Sequence, residues 1–153
     1  MSMASMKIAI GCDPNAKDLK KYMWDVLKDN GYEVSDYGSE DPIYANTALK
    51  VAEAVASGEC DRGMLFCGTG LGVCLAANKV PGAYAVVCGD EYSMERSILS
   101  NNANILTFGQ QVHGPLLARS VALKWLSLEY KPGGRSQAKI DRIYEIEKNL
   151  GHS

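Results

Sequence analysis

The apolar positions of this chain alternate between two periods. Residues 7–12, KIAIGC, make a short continuous apolar run of the kind a buried strand makes. Leu19, Met23, Trp24 and Leu27 then recur at helical spacing, and that pattern stops at Asn30-Gly31. YEVSDYG, residues 32–38, alternates like a second strand. Residues 44–57 carry alanines and valines on a helical pattern that ends at Gly58. RGMLFC (62–67) predicts strand three, followed by a glycine loop and a helix, and AYAVVC (83–88) predicts strand four. A helix around 91–101, a fifth strand at NILTFG (104–109), a helix over 115–129 and a charged helix over 136–149 complete the pattern.

Strands that alternate with helices require right-handed crossovers, and hence a parallel sheet covered on both faces. The predicted fold is an α/β three-layer sandwich around a five-stranded, doubly wound sheet of Rossmann-like or flavodoxin-like type. Pro132-Gly133-Gly134 is the one clear break, so the segment from about 133 reads as a C-terminal helical arm on a single domain that begins at Lys7. Its KIDRIYEIEK run offers an Ile/Tyr stripe suited to packing on a neighbouring subunit. Residues 1–6 read as an alternate start outside the fold.

Composition narrows the function. The formal net charge is −2, which gives no electrostatic reason to expect nucleic acid or an anionic membrane as partner. No apolar run is long enough for a membrane span, and the first residues lack the pattern of a signal peptide. The cysteines, Cys12, Cys60, Cys67, Cys74 and Cys88, are odd in number and form no CxxC pair, so free thiols in a cytoplasmic setting are expected. The histidines are His113 and His152, neither in a metal-ligand spacing. No metal and no cofactor are expected, and a general base must be a carboxylate or a thiol.

Ligands of doubly wound sheets bind beyond the carboxyl ends of the strands. Asp13, Cys67, Gly89-Asp90 and Gly109-Gln110-Gln111 fall there. Gly68-Thr69-Gly70-Leu71-Gly72 matches neither GxGxxG nor a P-loop. It is a tight turn exposing N–H groups to a phosphate or a developing oxyanion, or simply a close strand-to-helix connection. Cys60, Cys74 and Cys88 read as small apolar filler. Cys67 sits just before a helix start, where a thiolate is favoured, and can serve as nucleophile or general base. A cysteine–histidine hydrolase would need His113 as partner, so proton abstraction is the better reading.

The stretches IAIGCD, VAEAVASGECDRG, CGTGLG, AANKVPG, NNANIL and the GG before Arg135 resemble the ribose-5-phosphate isomerase B family, which includes galactose-6-phosphate isomerase subunits. The resemblance runs from Lys7 to about Arg142. It implies metal-free aldose–ketose isomerisation of a sugar phosphate through a cis-enediolate, in a homodimer or homotetramer whose active sites are shared between subunits. By position, Cys67 would move the proton. Gly68, Thr69, Gly70, Leu71 and Gly72 would form the anion hole, with Thr69 near the sugar oxygens. Asp13 and Asn101 would bind hydroxyls or the enediolate, Arg135 would reach the phosphate, and Cys12 and Tyr44 would line the sugar pocket.

Four positions depart from the family pattern. Pro14 stands where a histidine usually follows the strand-one aspartate. Ser100 replaces the ring-opening histidine, Gln111 an arginine, and Lys139 the second arginine of the arm. Lys139 keeps the charge without the bidentate fork. A tetrose 4-phosphate or galactose 6-phosphate therefore competes with ribose 5-phosphate as substrate, as does a non-catalytic partner subunit. A flavin- or nucleotide-binding module on the same sheet is a further reading. Trp24 and Trp125 lie on apolar helix faces and read as core or interface.

Overall fold

The computed structural model describes residues 6–151. Five parallel strands form one sheet: β1 (Lys7–Cys12), β2 (Glu33–Asp36), β3 (Arg62–Cys67), β4 (Ala85–Val87) and β5 (Ile105–Gly109). Six α-helices connect and flank them: α1 (Lys17–Asp29), α2 (Tyr44–Ala56), α3 (Leu71–Ala77), α4 (Glu91–Leu99), α5 (Pro115–Ser127) and α6 (Gln137–Leu150). A single 3-10 turn, Pro14–Ala16, joins β1 to α1. The expected three-layer α/β sandwich is what the chain builds.

Side-chain alternation along each strand separates two cores. Ile8, Ile10, Cys12, Met64, Phe66, Leu106 and Phe108 face the layer of α1, α4 and α5, where Trp125 is fully buried. Ala9, Leu65, Cys67 and Ile105 face α2 and α3. The second face is lined by small residues. Helix α2 buries Ala48, Val51, Ala52 and Val55 there, and it packs closely against both α3 and β1.

The strand order is β2-β1-β3-β5-β4. Compared with the common 2-1-3-4-5 order of such sheets, the last two strands trade places. The chain leaves β3, crosses to the far edge for β4, and returns through α4 to insert β5 beside β3. Cys67 thus pairs with Gly109, and the turn after β5 lies against the turn after β3. No periodicity in the sequence encodes that order.

Edge strands come out shorter than their patterns. The run 83–88 yields only Ala85–Val87, because the Asn78 side chain brackets Ala85. Its Nδ2 donates to the Ala85 carbonyl at 2.9 Å, and its Oδ1 accepts the Ala85 N–H at 2.8 Å. The amide acts as a one-residue substitute strand and blunts the edge. At the other edge only Val34 of β2 is buried. Met6, expected outside the fold, is buried, and its carbonyl accepts the Glu33 N–H at 3.3 Å. Residues 1–5 and His152 lie outside the described residues.

The arm also differs from expectation. Helix α6 docks on its own chain at the beginning of β4. Glu147 accepts the Gly82 N–H at 3.0 Å and the Tyr84 hydroxyl at 2.6 Å. Ile140 is buried, and Tyr144 stacks at a tilt on Tyr84, with ring centroids 5.2 Å apart. Only Ile143, Ile146 and Leu150 of the stripe remain exposed.

Candidate active site

The site is assembled where β1 and β3 end. Helix α1 leaves on one face of the sheet and α3 on the other, the switch point at which ligands of such sheets bind. Asp13 follows β1 and is buried. Its carboxylate caps the 3-10 turn by accepting the Asn15 N–H at 3.1 Å and the Asn15 amide at 3.3 Å. Its N–H donates to the Phe66 carbonyl at 3.3 Å, which ties it to the end of β3. By alternation Asp13 and Cys67 point to the same face.

Cys67 is 4% exposed, and its sulfur accepts the Gly70 N–H at 3.1 Å. An N–H aimed at sulfur stabilises negative charge there. Gly70 has φ +82°, and a Cβ on it would lie 2.8 Å from the Phe108 carbonyl carbon. Both the left-handed conformation and the close approach to β5 require glycine. A Cβ on Gly72 would fall 2.4 Å from the Tyr44 ring, so Tyr44 packs against the first turn of α3. Helix α3 has only seven residues. The anion-binding capacity of this region therefore rests on individual N–H groups of the loop.

Those N–H groups are aimed by β5. Gln110 donates its N–H to the Cys67 carbonyl at 2.9 Å, and Gln111 donates to the Gly68 carbonyl at 3.0 Å. In a planar trans peptide the C=O and N–H point in opposite directions. With the two carbonyls turned toward β5, the N–H groups of Gly68 and Thr69 turn away from it. Among the described residues no group accepts from either. The Gln111 side chain itself lies across Gly68, and Thr69 is exposed.

The other expected residues are not here. The Ser100 hydroxyl accepts from Arg96 Nε at 2.9 Å at the end of α4. Asn101 follows it, four residues before β5 begins at Ile105. Ile105 pairs with Gly63, whereas Gly109 pairs with Cys67. Four strand steps, about 13 Å, separate the two ends of that ladder. Arg135 and Lys139 are exposed on the segment that docks at the Ser100 end. One chain brings together Asp13, Cys67, the 68–72 loop, Tyr44 and Gln111, and leaves Ser100, Asn101, Arg135 and Lys139 at the opposite end of the sheet.

One expectation is corrected. Cys12 is fully buried in the α1/α4/α5 layer, opposite Cys67, and burial pushes its thiol up to about 12. It is core filler and lines no pocket. His113, the partner that a cysteine–histidine hydrolase would need, is engaged in the fold. Its Nδ1 accepts the Gly109 N–H at 2.8 Å, its ring meets Phe108 edge-on, and burial lowers its pKa. It clasps the turn after β5. Thr107, which holds the loop, was missed, and Gln110 was placed near the site without its role on the Cys67 carbonyl. Their only signal was a hydroxyl inside an apolar strand run and a polar pair just after it.

Comparison with known proteins agrees with this geometry. The chain matches the Ribose/Galactose Isomerase family over residues 8–143. It is 42% identical to a D-erythrulose-4-phosphate isomerase of Pectobacterium atrosepticum, covering 96% of this chain and 99% of that one. It is 44% identical to ribose-5-phosphate isomerase B of Escherichia coli, covering 93% and 97% respectively. The solved structure of Clostridium thermocellum ribose-5-phosphate isomerase B superposes with a TM-score of 0.89 at 47% identity, covering 95% of this chain and 99% of that one. With its fold and nearly all of its length in common with them, this chain belongs to the ribose/galactose isomerase family and is a sugar-phosphate isomerase.

Proposed function

We propose that the chain interconverts a tetrose 4-phosphate aldose and its ketose, D-erythrose and D-erythrulose 4-phosphate, by proton transfer through a cis-enediolate. Cys67 thiolate removes the proton from C2 of the aldose, negative charge grows on O1, a proton passes from O2 to O1 at the enediolate stage, and the same sulfur returns its proton at C1. The Gly68 and Thr69 N–H groups meet the oxyanion. Arg135 and Lys139 hold the phosphate, so no step calls for a metal. The observation that carries the reading is the Cys67 sulfur: it receives one loop N–H while two neighbouring N–H groups remain unclaimed among the described residues.

The remaining residues come from a second chain. Arg135, Lys139, Ser100 and Asn101 cannot meet Cys67 within one sheet, so a dimer that sets the Ser100 end of one protomer against the Cys67 end of its partner completes two equivalent sites. Five free thiols suit a cytoplasmic enzyme.

Ser100 supports the choice of substrate. A pentose phosphate rests as a closed ring and must be opened. A hydroxyl is a poor acid and base at neutral pH, and this one is engaged by Arg96. A tetrose carrying phosphate on O4 cannot close a five-membered ring and needs no opening. The Pectobacterium relative is named for that substrate. The test compares kcat/KM for erythrose 4-phosphate and ribose 5-phosphate in the wild type and in Ser100→His. The wild type should favour the tetrose, and Ser100→His should move the ratio toward the pentose. A wild type that prefers the pentose, or a ratio unmoved by the substitution, contradicts the assignment.

A further inference from the structure

Thr107 is a hydroxyl in the middle of a strand, fully buried on the α2/α3 face. A buried hydroxyl is costly unless it is bonded. This one donates to the Gly70 carbonyl at 2.7 Å. Gly70 is thus held at both ends: its N–H on the Cys67 sulfur, its C=O on Thr107. Turning that C=O into the sheet turns the next N–H, that of Leu71, the opposite way. The Leu71 N–H donates to Thr69 Oγ1 at 3.2 Å.

We infer that Thr107 is a positioning residue for the reaction: by fixing the Gly70–Leu71 peptide it makes Thr69 present its O–H to the sugar oxygen, while holding the Gly70 N–H on Cys67. This rests on the isomerase reading above. A hydroxyl has one proton and two acceptor sites. The Leu71 N–H occupies an acceptor site of Thr69, which leaves the hydroxyl proton available to a substrate oxygen on the exposed side. A developing oxyanion needs donors already in place, and a donor that first has to turn loses most of its effect. The path from Thr107 to the substrate runs through one peptide unit and one side chain, so Thr107 itself touches no reacting atom. The glycine at position 70 is what allows its carbonyl to reach so deep.

The test replaces Thr107 by valine, which keeps the shape and removes the hydroxyl, and by serine, which keeps the hydroxyl. Thr107→Val should lower kcat about ten- to a hundredfold with little change in KM, the size of effect expected when a transition-state group is misplaced. The pH midpoint for iodoacetamide alkylation of Cys67, followed by peptide mass spectrometry, should rise in Thr107→Val. Thr107→Ser should restore both. A role confined to fold stability would lower the melting temperature and leave both readouts alone. Should Thr107→Val fail to fold, the contrast is read between Thr107→Ala and Thr107→Ser under the same criteria. Wild-type kcat and an unmoved midpoint in the hydroxyl-free variant overturn the inference. A wild type inert on every sugar phosphate overturns the isomerase reading instead, and the alkylation midpoint still decides the role of Thr107.

Discussion

At the carboxyl end of the strands, backbone groups surround the Cys67 sulfur and fix the loop beside it. The Gly70 N–H is on the Cys67 sulfur, and the carbonyls of Cys67, Gly68 and Gly70 are each taken by a donor from β5 or the turn after it. At the amino end, side chains do the work. Ser100 leans on Arg96, Glu147 latches α6 to Gly82 and Tyr84, and Arg135 and Lys139 stand exposed. A loop whose peptide planes are fixed from inside the sheet can stabilise a short-lived charge without reorganising. Exposed cations on a docked arm suit a different task, which is to capture a phosphate arriving from outside their own chain. On the reading proposed above, the difference is that between two half-sites, each completed by a second chain.

Breaking the catalytic half should have the largest effect. Cys67→Ala should cut turnover at least about a hundredfold, the lower end for loss of a general base, with the fold intact by circular dichroism. Near-normal turnover would remove the thiol mechanism. Breaking the capture half should be milder and of a different kind. A charge-assisted hydrogen bond contributes about 1.5–3 kcal/mol, so Arg135→Ala should cost roughly ten- to a hundredfold in kcat/KM, mostly through KM. A loss confined to kcat would place Arg135 with the chemistry and blur the distinction between the ends.

The smallest effect concerns Cys12 against Cys67, two thiols at neighbouring strand ends on opposite faces. Burial pushes Cys12 up to about 12, and the same cause raises Cys88 to about 11. In the unfolded chain a thiol ionises near pH 8.5. The contribution of these buried thiols to stability is therefore complete below that pH and is lost as pH climbs toward their folded values. Urea midpoints should fall between pH 8 and pH 11, and Cys12→Ala should flatten part of that slope. An identical slope in the variant would mean that Cys12 ionises in the fold as readily as in the unfolded chain.

Much of this architecture was legible in the sequence, and the illegible part has physical reasons. Continuous apolar runs such as RGMLFC mark strands buried on both faces, so strand number and class follow directly. The thiol before a glycine turn, placed at a strand end, marks the site. Register is another matter. Cys12 pairs with Phe66 rather than with Cys67, and that one-residue offset decides which thiol faces α2 and α3 and which faces α1. Period two cannot supply the offset, so Cys12 read as a pocket residue. Strand order is equally silent, because β5 reaches β3 only through a crossover whose length would serve either order. Thr107 and Gln110 act through backbone carbonyls, and no residue pattern announces which carbonyl a buried donor will meet.

The central claim, that one active site takes half its groups from each of two chains, is tested by complementation. Cys67→Ala and Arg135→Ala are purified separately, mixed in equal amounts, unfolded in urea and refolded together. In a randomly mixed dimer half the molecules carry one chain of each kind, and each of those holds one intact site, so activity should return to about a quarter of wild type. Activity in the mixture no higher than the average of the two variants alone would show that Cys67 and Arg135 serve the same chain's site, or no shared site, and would contradict the account.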